Sequence, residues 1–449
     1  MIALVTDILE PWFIYIWEQF ARVNKLESEY GFFTYDQFKQ IHEHTKRSLI
    51  LEYSSYRKVS QSLFIPRRNR FKTDDYVWIQ NELPVYSGTF DKKLNNFDIF
   101  FNAFVHLSRL EEWISEKKGK RIYSYAFRHP RKVQRIWKIP VVNHLFNLLE
   151  TEIRKTGHNI SFGGQEKPII QFSHDVDYLR KTVQLRIKQS GYSFLNSAKL
   201  FFNHDRKKAL SVLKRGVVSA TGNADYRFFE WWNDLEDKLD IRSVYYFYAR
   251  RNKLPTRMKA VQWMLDPSYD ISGDKDLKNI CRGLVGRGHE IGLHASYLSA
   301  VDDALYVSEK NKLERIVNRP VTKSRQHWLN YLETVTPYTH QQAGIKTDSS
   351  LGFNDIEGFR SGIASIYNPY DHKMQKAFSF DEIPLVLMDA HIEDHSNCLD
   401  RFNWLFECFG TSKKLLVSVD WHQRGASPEY GWINSFEKLC REYKKTVTC

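Results

Sequence analysis

Residues 169–177 read IIQFSHDVD. Ile169–Ser173 have the apolar, β-branched character of a short buried strand, and the run then breaks into His174, Asp175 and Asp177. The same event recurs downstream. Short strands are expected at Ser243–Tyr248, His289–Leu293, around Ser324–Trp328, and at Ile345–Asp348, Ile383–Met388 and Leu415–Val419. Amphipathic stretches at roughly 226–238, 276–287, 303–317, 332–343, 399–409 and 431–444 alternate with them. Strand and helix alternation means a parallel sheet. Seven or so such units in about 280 residues suit a closed or nearly closed α/β barrel better than an open sheet. Ionisable groups cluster just after these strands, at the rim where barrel active sites form.

Upstream the texture differs. IALVT (2–6) reads as a buried strand, and Pro11 opens a helix with Phe13, Ile16, Phe20 and Val23 at helical spacing. Short runs follow (GFFTY, SLILEY, VWIQ), then a helix expected over Phe97–Ile114 and another from Pro140 to about Lys155. No ionisable residues converge there. Residues 1–164 are therefore expected to form a smaller α/β accessory domain that packs on a barrel of residues 165–449, with the boundary near Gly157, Gly163 and Gly164.

Composition bounds the function. The 449 residues are 42% hydrophobic, which excludes a disordered tail protein. Lys and Arg number 66 against 53 Asp and Glu, a net charge of +13 that favours acidic partners. No helix-turn-helix, zinc-finger or RNA-binding signature accompanies the charge, so nucleic acid is not expected. The five cysteines (Cys281, Cys398, Cys408, Cys440, Cys449) form no CxxC pair, which suits a reducing compartment. Asp7, Glu10, Pro11 and Glu18 interrupt the greasy start, so neither signal peptide nor spanning helix is read and a cytoplasmic address is expected. Nine basic and no acidic residues between Lys117 and Lys138 suit either peripheral membrane contact or a solvated face. Arg180–Arg215 holds ten basic residues against Asp205 alone, with Tyr192, Phe194, Phe201 and Phe202 interleaved. That stretch reads as a flank for a phosphate-bearing substrate or as an ordinary basic surface.

Two carboxylates at i and i+2 past a strand reach one mouth, so one of Asp175 and Asp177 can hold a metal while the other works as a base. His294, after a neighbouring strand, offers an imidazole, and His422 stands after the last strand. Competing structural readings apply to other residues. His174 suits a hydrogen-bonding role, His289 begins a strand at the end away from the rim, and His391 and His395 fall in a polar loop. Arg360 suits either a clamp on a substrate anion or a partner for an internal acid such as Glu357.

FSHDVDY followed by GHEIGLH resembles the first two motifs of the polysaccharide deacetylase (NodB-homology) family. The likeness runs on through SRQHW, TDSSLGF and GFRSG to DWH, and looks closest to the WbmS-like subgroup from bacterial surface-polysaccharide loci, with DIFFNAFVHLSRLEEW extending it upstream. The resemblance implies a distorted (β/α)7 barrel and a metal-dependent deacylase acting on an N- or O-acylated sugar, sugar nucleotide or lipid-linked glycan. It implies Asp175 as general base, Asp177 and His294 as ligands of one divalent ion, zinc first among the candidates, Arg325 as the group orienting Asp175, and His422 as general acid. The family's second histidine falls on Leu298, which cannot ligate, and His327 is the candidate replacement. Arg360, Trp328 and Asp348 are the candidate substrate contacts. The alternative is an inactive sugar- or glycolipid-binding protein of the same fold.

Overall fold

The computed structural model describes residues 1–41, 48–202, 206–250, 265–267, 269–392, 395 and 398–448; Asp205 and Cys449, named above, lie outside them. The first half is built on four parallel strands, β1 (Ile2–Thr6), β2 (Tyr30–Thr34), β3 (Leu49–Ser54) and β4 (Leu63–Pro66), in the order β2-β1-β3-β4. Helix α1 (Pro11–Val23) starts on a proline, whose fixed φ costs nothing at a first turn, and buries Phe13, Ile16, Trp17, Phe20 and Val23. Phe13 stacks on Tyr53 with ring centroids 4.7 Å apart and meets the ring of Phe100 edge-on at 4.9 Å.

The helix expected over Phe97–Ile114 is in fact two, α2 (Ile99–Leu107) and α3 (Leu110–Lys117). Asp98 caps α2 by accepting a hydrogen bond from the Phe101 amide at 2.8 Å. The break falls at Arg109, left-handed at φ 49°, whose buried guanidinium meets Glu112, Glu333 and the Tyr331 ring. The apolar periodicity runs straight through that residue, so the pattern does not betray the break. Helix α4 (Val141–Lys155) closes this half.

The second half carries eight parallel strands: β5 (Ile169–Val176), β6 (Val244–Tyr248), β7 (Glu290–Ala295), β8 (Lys323–Gln326), β9 (Thr347–Asp348), β10 (Asp381–Glu382), β11 (Leu385–Met388) and β12 (Leu416–Asp420). Their order is β10-β9-β8-β7-β6-β5-β12-β11. The edge strands β10 and β11 are separated only by Ile383 and Pro384, so the two edges lie within a few residues' reach of each other and the sheet must curl into a nearly closed barrel. Of the segment expected as a strand over Ile383–Met388, only Leu385–Met388 is strand, and the other edge strand, Asp381–Glu382, precedes it.

Outside the barrel lie α5 (Val183–Phe202), α6 (Arg206–Thr221), α7 (Phe229–Lys238), α8 (Lys275–Gly286), α9 (Asp303–Val317), α10 (Thr336–Gln342), α11 (Asp400–Glu407) and α12 (Ile433–Thr448). Asp274 and Asp302 cap α8 and α9 through the amides of Leu277 and Leu305, at 3.0 and 2.9 Å. The halves share a core: Tyr331, Leu351, Ile363 and Tyr367 of the second half join Phe100, Val142 and Phe146 of the first. Arg22 adds two bonds to Asp381, at 2.7 and 3.1 Å. Among the described residues no helix is long and apolar enough to cross a membrane.

Candidate active site

Strand parity builds the site. Along β5 successive side chains face opposite ways. Ser173 and Asp175 turn to the barrel interior, where both meet Arg325, whereas His174 turns outward onto α7. The parallel register pairs Tyr245 with His174 and Tyr246 with Asp175, and these rings divide the same way.

Arg325, at 0% exposure, is held by every donor it has. Its Nη1 donates to Ser173 Oγ, Asp175 Oδ1 and Asp420 Oδ1 at 2.8–2.9 Å. Nη2 donates to Ser349 Oγ and Ser418 Oγ, and Nε to the Ser349 carbonyl. The guanidinium lies over the Tyr246 ring, 4.3 Å from its centroid. Tyr246 occupies the space a Cβ on Gly292 of β7 would need, since such an atom would stand 2.5 Å from the ring. Burial works to raise the pKa of Asp175, but Arg325, with His294 and His422, holds it below the usual carboxylate range.

Asp177, His294 and His327 converge although they stand on or just past three different strands. His294 Nε2 is 3.1 Å and His327 Nε2 3.5 Å from Asp177 Oδ1. Bonds of about 2 Å to a tetrahedral ion put ligand atoms about 3.3 Å apart, so these separations fit a single zinc-like dication. The donor set fits as well, one carboxylate with two imidazoles. Each ring's other nitrogen is committed, His294 Nδ1 to the Arg325 carbonyl at 3.1 Å and His327 Nδ1 to Asp266 at 3.4 Å, which turns both Nε2 atoms to the common point. Burial lowers the pKa of His327, as a neutral ligand requires; His294 is raised, because Asp175 and Asp177 outweigh its burial. Leu298, where the resemblance looks for a histidine, sits 37% exposed on the turn Tyr297–Ala300, whereas His327, just past β8, stands beside Asp177 and His294.

His422 closes the other side. Its Nδ1 and backbone amide both bond Asp389, at 2.9 and 2.7 Å, and its Nε2 lies 3.5 Å from Asp177 Oδ2. Burial and the Arg424 guanidinium oppose its protonation, but Asp389 and Asp177 prevail and push its pKa up to about 9. Asp389 and Arg424 are absent from the sequence reading. Asp389 follows the expected strand at Met388 yet is overshadowed by His391 beside it, and Arg424 stands two residues past DWH. Arg424 Nη1 donates to Asp177 Oδ2 at 2.6 Å.

These groups floor a cavity of about 1350 Å³. Trp328, Tyr178, Tyr192, Tyr430 and Trp432 line it, together with Asp175, Asp177, His294, His327, His422 and Arg424. Two candidate substrate contacts are not brought there. Arg360 is fully buried and bidentate to Glu112, at 2.6 and 3.1 Å, because α3 delivers a carboxylate to it inside the shared core. Glu357, its suggested partner, pairs with Lys138 and Arg401. Asp348 is likewise sealed in, accepting from Ser350 Oγ at 2.8 Å and lying 3.6 Å from His340. His391 is not solvated either: its Nε2 donates to the Phe353 carbonyl at 2.9 Å. Within the basic run Lys117–Lys138, Arg131 is buried against Glu111 and Lys138 pairs with Glu357, whereas Lys117, Lys118, Lys120, Arg128, Lys132 and Arg135 are exposed.

No protein-family model matches the chain, and no curated protein matches it in sequence. Solved structures do match. A putative polysaccharide deacetylase from Mycobacterium smegmatis aligns over 62% of this chain and 84% of its own, at 12% identity and TM-score 0.37. Its structural neighbours include polysaccharide deacetylases. Another is a putative polysaccharide deacetylase involved in O-antigen biosynthesis from Bordetella bronchiseptica (63% and 84% covered, 11% identity, TM-score 0.26). A third is a CE4 family pseudoenzyme from Bacillus anthracis (63% of each chain, 8% identity, TM-score 0.27). Scores this low carry no weight for function, which rests on the site.

Proposed function

We propose that this chain is a metal-dependent deacylase, an amide or ester hydrolase, acting on an N- or O-acylated sugar in the building of a bacterial surface glycan. The observation that carries the reading is that Asp175 and His422 lie beside the Asp177, His294 and His327 triangle at the floor of one cavity, with Asp175 held below and His422 above its ordinary pKa. A dication on those three residues supplies Lewis-acid polarisation of the acyl carbonyl and of a water. Asp175 accepts the proton as the water oxygen bonds the acyl carbon. His422 donates its proton to the sugar nitrogen or oxygen as the acyl bond breaks. Arg325 keeps Asp175 charged and aimed, and Asp389 keeps His422 charged with Nε2 toward the cavity. The aromatic walls suit the apolar faces of sugar rings.

The test is release of acetate or formate from N-acyl amino-sugar nucleotides and lipid-linked sugars, with zinc, cobalt, nickel or manganese supplied and metal content measured on the same protein. Turnover that requires the metal supports the reading. Tight binding of one of these compounds without turnover by any metal form replaces it with a second reading, an inactive sugar- or glycolipid-binding protein. Two observations favour that alternative: Leu298, and the Arg424 guanidinium, which already sets a positive charge on Asp177.

A further inference from the structure

The α5 and α6 helices form an antiparallel hairpin packed in an inverted sense. Small residues fill the seam between them: Ser193, Ser197, Ala209 and Ser219 are buried there, and a Cβ on Gly216 would stand 3.0 Å from that of Ser193. Ser197 Oγ donates to the Ala209 carbonyl at 2.8 Å across the seam. The Phe194 ring lies beside Gly216 at the seam, but most of the other large apolar side chains face outward. Leu195 is 73% and Phe202 79% exposed, and Val183, Phe201, Leu210 and Val217 are exposed beside them. A hairpin folded for water alone would put these side chains into the seam; small residues inside and large ones outside is the arrangement of helices whose surroundings are apolar.

Charge selects the surroundings. Neither helix contains an acidic residue. Arg186 is half-buried, Arg206, Lys207 and Lys214 are exposed, and Arg206 lies over the Phe201 ring. Apolar side chains interleaved with arginine and lysine suit the boundary of an anionic bilayer, whereas the core of a protein interface is depleted in lysine. Neither helix has the hydropathy of a spanning segment. The exposed face is also continuous with the cavity, because Ile187, Tyr192 and Leu195 of α5 are exposed and line it.

We propose that the α5–α6 hairpin lies on the surface of an anionic lipid bilayer, its outward apolar side chains in the headgroup boundary and its arginines and lysines on the lipid phosphates. Docked in this way, the cavity opens beside the bilayer. The inference is independent of the deacylase reading, since it is read without turnover.

Co-sedimentation of the whole protein with vesicles tests it. Wild type should bind phosphatidylcholine vesicles containing about one third phosphatidylglycerol, bind pure phosphatidylcholine weakly, and release as salt rises. The triple variant Phe201→Glu, Phe202→Glu, Leu210→Glu should lose at least about tenfold in affinity for anionic vesicles, with Tm and metal content as in wild type. The triple variant Arg206→Gln, Lys207→Gln, Lys214→Gln should lose the preference for anionic over neutral vesicles, and carries the test if the first variant fails to fold. Wild type that ignores anionic vesicles, or binds them equally in both variants, overturns the proposal. So does a concentration-dependent dimer, abolished by the glutamates, in a protein that binds no vesicle, which assigns the face to a second copy of this chain.

Discussion

Two clusters in the barrel have the same composition and opposite character. Asp177, His294 and His327 form one; Glu236 of α7, His174 of β5 and His289 form the other. Each is a carboxylate with two imidazoles. In the second, Glu236 accepts from His174 Nε2 at 3.2 Å, from Tyr245 OH at 2.7 Å and from Ser243 Oγ, and all these groups are sealed between sheet and helix. In the first, the outer ring nitrogens are committed to Arg325 and Asp266, and the inner atoms meet beside a cavity, where His294 Nε2 bonds Asp177 Oδ1 at 3.1 Å. Residue type therefore does not mark a reactive site. What marks it is convergence of the donors at the floor of a cavity, where a ligand can reach them.

The sharpest way to separate the clusters is to neutralise the base next to the first. Asp175→Asn should lower turnover by about 10²–10⁴-fold with Tm and metal content little changed, measured by acyl release beside thermal melting. Retained turnover would show that Asp175 is not the base. At the sealed cluster the effect should fall on stability instead. Glu236→Ala strands His174 and Tyr245 in the core and should cost about 3 kcal/mol in denaturant unfolding, with metal per folded molecule unchanged. A change in metal content would erase the distinction.

A smaller change probes how the first cluster is aimed. Asp266→Asn keeps every proposed ligand but weakens the bond that turns His327, and should reduce metal affinity by about 10–100-fold in a chelator competition. No change there would mean that His327 is placed by packing alone.

The smallest effect concerns His391, a histidine in neither cluster. Burial pushes its pKa down to about 4. The unfolded chain thus takes up the proton first as pH falls below about 6.5, and this one group should remove about 1 kcal/mol of stability between pH 7 and 5.5. Unfolding curves across that window should flatten in His391→Gln.

Much of this arrangement is legible in the sequence, for reasons that also explain the misses. Strands that end abruptly in charged residues mark the rim, because a period of two stops where the polar run starts; Asp175, Asp177, His294, His327 and His422 follow from that signal. Which face a residue takes requires a register, so Asp175 and the adjacent His174 look alike until β5 is seen to set one inward and the other toward Glu236. Arg360 and Asp348 follow strands or turns as the site residues do, but what neutralises them is remote in the chain, Glu112 for one and the His340 and Ser350 pair for the other. The α5–α6 hairpin escapes because its outward face breaks the rule that apolar spacing marks a core.

Gly292 carries a consequence for how this sequence can drift. Its missing side chain makes room for Tyr246, Tyr246 floors Arg325, and Arg325 aims Asp175. A methyl group added on β7 is transmitted through a ring and a cation to a carboxylate on β5, so positions 292, 246 and 325 should vary only as a set. Gly292→Ala alone pays in the direction of a lone pair rather than in core volume. A smaller residue at 246 reopens the space but removes the floor beneath the guanidinium. The neutral paths open to this chain are therefore narrower at an unreactive glycine than at the aromatic walls of the cavity, where one ring can replace another.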